Sequence, residues 1–138
     1  MNSHYDQFEV VIPSDYESGQ AIVERIMTVV GNGGFSARDV FGIRLSVDEA
    51  VTNAIKHGNQ LSPHKTVRID FQLNHRGVRI EIEDQGSGFR PENVPDPTAD
   101  ENLERSSGRG LMLMREFMTR IEYSEKGNLV VLEKLLRP

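Results

Sequence analysis

Apolar residues change their spacing several times along the chain, and each change marks an element. Phe8 to Ile12 (FEVVI) is a short β-branched run stopped by Pro13, which predicts a strand near a sheet edge. Ser14 or Asp15 then offers an N-cap, and Ile22, Val23, Ile26, Met27 and Val30 recur at helical spacing from Tyr16 to Val30. The run Gly31-Asn32-Gly33-Gly34 stops this helix. A second helix starts at Ser36, an N-cap candidate three residues before Asp39. It carries Val40, Ile43, Val47, Ala50, Val51, Ala54 and Ile55 on one stripe and ends near Gly58.

From Thr66 the period drops to two. Val67, Ile69, Phe71 and Leu73 alternate with polar residues, and Val78, Ile80 and Ile82 resume the alternation after a break at Asn74–Gly77, which predicts a hairpin. Residues 85–107 lose periodicity, hold three prolines and an acidic stretch from Asp96 to Glu104, and read as a long functional loop. A third helix over Gly110–Thr119 carries Leu111, Leu113, Met114, Phe117 and Met118; strands Ile121–Glu125 and Asn128–Leu135 follow around a turn at Lys126-Gly127. The order β-αα-ββ-loop-α-ββ predicts an α/β (α+β) two-layer sandwich. Its sheet is mixed and mainly antiparallel, with three helices on one face and polar side chains such as Arg68, Asp70 and Gln72 on the other.

Composition narrows the class. The 138 residues suit one domain, 1–138, and 37% hydrophobic with 27% charged residues describe a chain that folds into a globule. Sixteen Lys+Arg against 21 Asp+Glu give a net charge of −5, which argues against direct nucleic-acid contact or an anionic membrane surface. The absence of cysteine excludes disulfides, thiolate zinc sites and cysteine nucleophiles. With no secretory apolar segment after Met1 and no apolar run long enough to span a bilayer, the expected compartment is the cytoplasm. The histidines, His4, His57, His64 and His75, lack metal-ligand spacing. Met112, Met114 and Met118 read as core filler.

Three short constellations carry candidate chemistry. On the second helix, a spacing of four puts Glu49 and Asn53 on one face, with Lys56 and His57 a turn further on. The carboxylate suits a general base and the amide oxygen suits Mg²⁺, although the same spacing also describes an ordinary solvated helix face. Asp84-Gln85-Gly86-Ser87-Gly88-Phe89 lies where a strand meets the long loop. There the glycines permit close backbone approach to a ligand and the carboxylate can accept from an exocyclic amine; an Asx-capped turn is the plain alternative. Gly108-Arg109-Gly110-Leu111 opens the third helix, where backbone N–H groups, with Arg109 beside them, can bind an anion. A dinucleotide fingerprint is unsupported because Pro91 takes the third glycine position, and no P-loop, nucleophile elbow or HExxH pair occurs.

Taken in order, E-x-x-x-N, D-x-G-x-G-F, a long lid and S-G-R-G-L resemble the nucleotide-binding domain of the GHKL ATPases. The phrases LSVDEAVTNAIKHGN, IEDQGSGF and SSGRGLMLMREFM are similar to the bacterial anti-sigma-factor serine/threonine kinases. The resemblance implies a GHKL-type ATP-binding fold with an ATP lid over residues 90–107. It implies ATP and Mg²⁺ as cofactors, Asn53 as the Mg²⁺ ligand on the phosphates, and Glu49 as the carboxylate that activates the attacking hydroxyl. Asp84 would bind the adenine amine, with Gly86 and Gly88 shaping the pocket. Gly108 and Gly110 would wrap the phosphates, Arg109 would contact them, and His57, Phe89, Ser107 and Leu111 would complete the nucleotide site. The implied activity is that of a partner-switching kinase, a homodimer that binds a sigma factor and phosphorylates an anti-sigma antagonist on serine or threonine. The alternatives are an ATP-dependent binding switch without transfer and a detached histidine-kinase catalytic domain.

Overall fold

The computed structural model of the chain describes residues 6–87, 112 and 114–136. They form β1 (Asp6–Pro13), α1 (Tyr16–Gly31), α2 (Ala37–Asn53), a π-helical turn (Ala54–Gly58), β2 (Thr66–Asn74) and β3 (Gly77–Glu83). A third helix, α3, comprises the described helical residues 112 and 114–117, and β4 (Arg120–Tyr123) and β5 (Leu129–Leu135) follow. The strands make one sheet in the order β1-β2-β3-β5-β4, with β1 at an edge as its terminal proline predicts. All four pairings are antiparallel, so the mainly antiparallel sheet expected from the hairpins contains no parallel pair among the described residues.

The period-two pattern sorts side chains between the faces. Val67, Ile69, Phe71 and Leu73 of β2 are buried with Ile80 and Ile82 of β3 and Leu132 of β5. They pack against Ile22, Ile26 and Val30 of α1 and Ile43, Val47 and Val51 of α2 in a single core. Each such side chain contributes roughly 1.5–3 kcal/mol of apolar burial. On the opposite face Arg68 lies among Glu9, Glu81 and Glu83, and Arg79 bridges Glu81 and Glu133. These partly exposed pairs add little stability and keep that face polar.

The helix starts follow the sequence closely. Asp15 caps α1 by accepting from the Ser18 N–H at 2.7 Å, and Ser36 caps α2 by accepting from the Asp39 N–H at 3.1 Å. Two ends differ from expectation. The second helix reaches Gly58, but its last turn is π-helical, closed by Asn59 N–H to Ala54 O at 2.8 Å. The third helix stops before Met118 rather than at Thr119, because the Thr119 N–H donates to Glu133 O at 2.9 Å and joins the sheet. Gly42 brings α3 onto α2: a Cβ there would lie 2.3 Å from the Phe117 ring. Lys134 Nζ then ties the end of α3 down, donating to Phe117 O at 2.6 Å and pairing with Asp39 of α2 at 3.5 Å. The expected lid over 90–107, together with Gly88, Phe89, Ser107, Gly108, Arg109, Gly110 and Leu111, lies outside the described residues.

Candidate functional site

The last turns of α2 bring two acceptors together. Glu49 Oε2 and Asn53 Oδ1 are both buried, and neither has a hydrogen-bond partner among the described residues. Unpartnered buried acceptors are costly, so their survival in adjacent turns of one helix face is a mark of function rather than of packing. Burial is the main cause that holds the Glu49 carboxyl above the ordinary glutamate range. The Asn53 side chain opposes it, the charge of Asp48 reinforces it and Lys56 pulls it down. A carboxylate displaced in this direction is better matched to proton abstraction near neutral pH. Asn53 Oδ1 is a hard, neutral oxygen with free acceptor capacity, the donor type that Mg²⁺ takes alongside water and phosphate oxygens, so the residues present fit that ion.

The π-helical turn displaces the chain after Asn53, and its final residues meet the loop that follows β3. Asp84, 9% exposed, has its backbone fixed by β5-side partners: its N–H donates to Asn128 O at 2.9 Å and Asn128 Nδ2 donates back to Asp84 O at 3.0 Å. The Gly86 N–H donates to Asp84 Oδ1 at 2.8 Å, and a carboxylate keeps further acceptor capacity at its second oxygen. Burial pushes this carboxyl up from the aspartate range, with the Gly86 hydrogen bond opposing. Glycine is required on both sides of the contact. A Cβ at Gly58 would lie 2.3 Å from the Asp84 carboxylate, and one at Gly86 would lie 2.0 Å from Gly58 O.

Between these two ends is a cavity of about 210 Å³, bordered by Asn53 and His57 from the helix side and by Asp84, Asn128 and Tyr123 from the sheet side. Ala50, Ala54, Ile82 and Val130 give it apolar walls. A cavity with apolar walls that is bordered by a buried carboxylate and by the bare amide oxygen of Asn53 suits a heterocycle linked to a metal-bound anion. Burial and the positive charge of Lys56 hold His57 below the ordinary histidine value, leaving a neutral imidazole at pH 7. Burial, reinforced by the negative charge of Glu49, pushes the Tyr123 hydroxyl up to about 12, so it stays protonated.

Of the residues singled out from sequence and described here, Asn53, His57 and Asp84 line this one cavity. Glu49 adjoins it through Asn53, and Gly86 packs beneath Asp84. Gly58, Asn59, Tyr123 and Asn128 were not anticipated as site residues. The His57-Gly58-Asn59 run after the helix was a usable signal for the first two, since glycine followed by a turn-forming amide marks a helix end that must approach something closely. Nothing in the local sequence distinguishes Tyr123 or Asn128, which reach the site only through the β3–β5–β4 order.

Comparison with known proteins bears on this geometry. The chain is similar to the serine-protein kinase RsbW of Staphylococcus aureus, as in strains JH9 and NCTC 8325. Each is 28% identical over 145 residues, covering 99% of this chain and 91% of the relative. In fold it is similar to a crystal structure of the RsbU and RsbW domains of a Mycobacterium tuberculosis protein, with a TM-score of 0.62 at 13% identity. That likeness covers 96% of this chain and 33% of the larger one. The profile of the histidine kinase-like ATPase domain matches residues 12–134, the span that holds α1 through β4, nearly all of β5, the Glu49–Asn53 helix face and Asp84, and the chain belongs to that family.

Proposed function

We propose that the chain is an ATP-dependent serine/threonine protein kinase of the partner-switching type, one that holds a sigma factor and phosphorylates its anti-sigma antagonist. The observation that carries this reading is the pair of buried, unpartnered acceptor atoms on Glu49 and Asn53 beside a cavity that the buried Asp84 also lines. Membership of the ATPase family and similarity to proteins named serine-protein kinases support it. Asp84 accepts from the adenine amine, while Ile82, Val130 and Ala54 sandwich the base. Asn53 would hold Mg²⁺ on the phosphates, where the ion supplies charge neutralisation. Glu49 accepts the proton of the acceptor hydroxyl as its oxygen forms a bond to the terminal phosphorus and the bond to ADP breaks. Phosphoryl transfer asks mainly for positioning and neutralisation, so one carboxylate of raised pKa, one amide and backbone donors suffice.

Gly88 as part of the base pocket, Gly108, Arg109 and Gly110 as phosphate-binding residues, and Phe89, Ser107 and Leu111 as further nucleotide-binding residues belong to the same proposal. So do a homodimeric state, a cytoplasmic setting and the absence of direct nucleic-acid contact. Among the described residues no helix is long and apolar enough to cross a membrane. The test is incubation with labelled ATP, Mg²⁺ and candidate antagonist proteins. Transfer to a serine or threonine that disappears in Glu49→Ala, while that variant still binds ATP, is the expected result. Tight ATP binding without transfer to any antagonist would replace the kinase with a nucleotide-dependent binding switch, and a Glu49→Ala variant as active as wild type would remove Glu49 from the catalytic role.

A further inference from the structure

Next to the cavity lies a second polar centre, built on Asn59, which does not itself line it. Asn59 is fully buried and uses its whole side chain: Nδ2 donates to Ser14 Oγ at 2.8 Å and to Thr66 O at 2.9 Å, and Oδ1 accepts from the Gln85 N–H at 2.7 Å. Its backbone N–H closes the π-helical turn on Ala54 O. Ser14 Oγ in turn donates to Lys65 O at 2.7 Å. One amide therefore joins the end of β1, the start of β2, the helix end that carries Asn53 and His57, and the loop that carries Asp84 and Gly86.

Two features show that this junction holds its surroundings in a conformation they would not adopt unaided. Directly after Asn59 come Gln60 and Leu61 with φ of 52° and 56°, the only non-glycine residues in the left-handed region among those described. Such residues are strained and persist where neighbouring bonds over-determine them. A π-helical turn is likewise an uncommon local choice. Both lie between Asn53 and Asp84 in sequence.

We infer that Asn59 is a positioning residue for base recognition, fixing the Asp84 carboxylate against Gly58 so that the cavity selects a base bearing an exocyclic amine. The path is short. The Asn59–Gln85 bond sets the backbone one residue past Asp84, and Gly58, one residue before Asn59, lies against the carboxylate itself. Without the amide, the Gly58–Gly86 approach loses its anchor, and the Gly86 N–H that holds Asp84 Oδ1 is free to shift and take the carboxylate with it. The inference rests on the reading of Asp84 as the adenine acceptor.

The test compares ADP with inosine diphosphate, which carries a carbonyl in place of the amine, by calorimetry on wild type, Asn59→Ala and Ser14→Ala well below their melting temperatures. Wild type should prefer ADP by about tenfold or more, the range of a hydrogen bond to a charged group. Asn59→Ala should bring the ratio close to one. Ser14→Ala, which loosens the same junction away from Gln85, should lower the melting temperature and keep the ratio. An Asn59→Ala protein that retains the wild-type ratio, or a Ser14→Ala protein that loses it, overturns the positioning role and leaves Asp84 as the acceptor. A wild-type ratio near one overturns the Asp84 reading itself. Should Asn59→Ala fail to fold, hydrogen exchange of the nucleotide-free wild type decides: the Gln85 amide should be protected, and exchange at the solvent rate refutes the anchor.

Discussion

Glu49→Gln should make the protein more stable while abolishing phosphoryl transfer. In the wild type the Asn53 side chain hydrogen-bonds the Glu49 carboxyl, yet Glu49 Oε2 and Asn53 Oδ1 themselves are buried with no partner among the described residues. Glutamine has the same shape, removes the half-buried charge and brings an NH₂ that can reach Asn53 Oδ1. An unsatisfied buried polar atom costs about 1–3 kcal/mol, and partial exposure of this residue favours the low end, so a gain of roughly 1 kcal/mol is expected. For a chain of this size that is a rise of about 3–5 °C in melting temperature. The gain must depend on pH. Burial holds the folded-state pKa of Glu49 above its ordinary value of 4.5. The folded protein therefore binds more protons than the unfolded chain between those two values, and wild-type stability falls as pH rises through that interval. Glutamine does not titrate, so the advantage of the variant should be full at pH 7.5 and shrink toward pH 4.5. Urea denaturation of both proteins across that range is the assay. A variant less stable than wild type at pH 7.5, or a gain independent of pH, would refute the account of Glu49 as a penalised buried carboxylate.

Three further outcomes follow from the geometry. Gly58→Ala places a methyl 2.3 Å from the Asp84 carboxylate, so it should cost about 1–3 kcal/mol of stability by overpacking and weaken nucleotide binding, read by denaturation and calorimetry. Burial raises the Asp84 pKa, so ATP affinity should fall on acidification at a pH above the ordinary aspartate value of 3.8, as the acceptor is protonated; Asp84→Asn should abolish that pH dependence, and a persistent dependence would assign it elsewhere. Lys134→Met strands Asp39 and Phe117 O, both sheltered at the α2–α3 contact, and should lower stability by about 2 kcal/mol in thermal melts, whereas an exposed pair would lose almost nothing.

The strands, the first two helices and their caps were legible because they depend on short-range periodicity and on single residues. The alternation of Val67, Ile69, Phe71 and Leu73 could bury one face only as a strand, and Ser36 before Asp39 could only cap. Two site motifs were visible as residue types at fixed spacing, Glu49 with Asn53 by helical geometry and Asp84 with Gly86 by turn chemistry, while Gly108-Arg109-Gly110 lies outside the described residues. The π-helical turn was not, because its register is set by the Asn59 N–H closing on Ala54 O and by Asn59 Oδ1 holding Gln85, a partner 26 positions away. The end of α3 was missed for the same kind of reason: Thr119 has an adequate helical neighbourhood, and a carbonyl from β5 takes its amide instead.

By itself the sequence determined which segments become strand or helix and which side chains carry carboxylate, amide or glycine chemistry, since those depend on residues within one or two turns of each other. It also placed the charged residues on the outer face of the sheet, through the same period of two. Only the tertiary structure decided that Asn53, His57 and Asp84 border one cavity, that Tyr123 and Asn128 complete it, and that Gly58 must be glycine. Those facts depend on the strand order and on where the last turn of α2 meets the end of β3. Contacts between residues far apart in the chain are fixed by packing and buried hydrogen bonds, which no local pattern of hydrophobic and polar residues records.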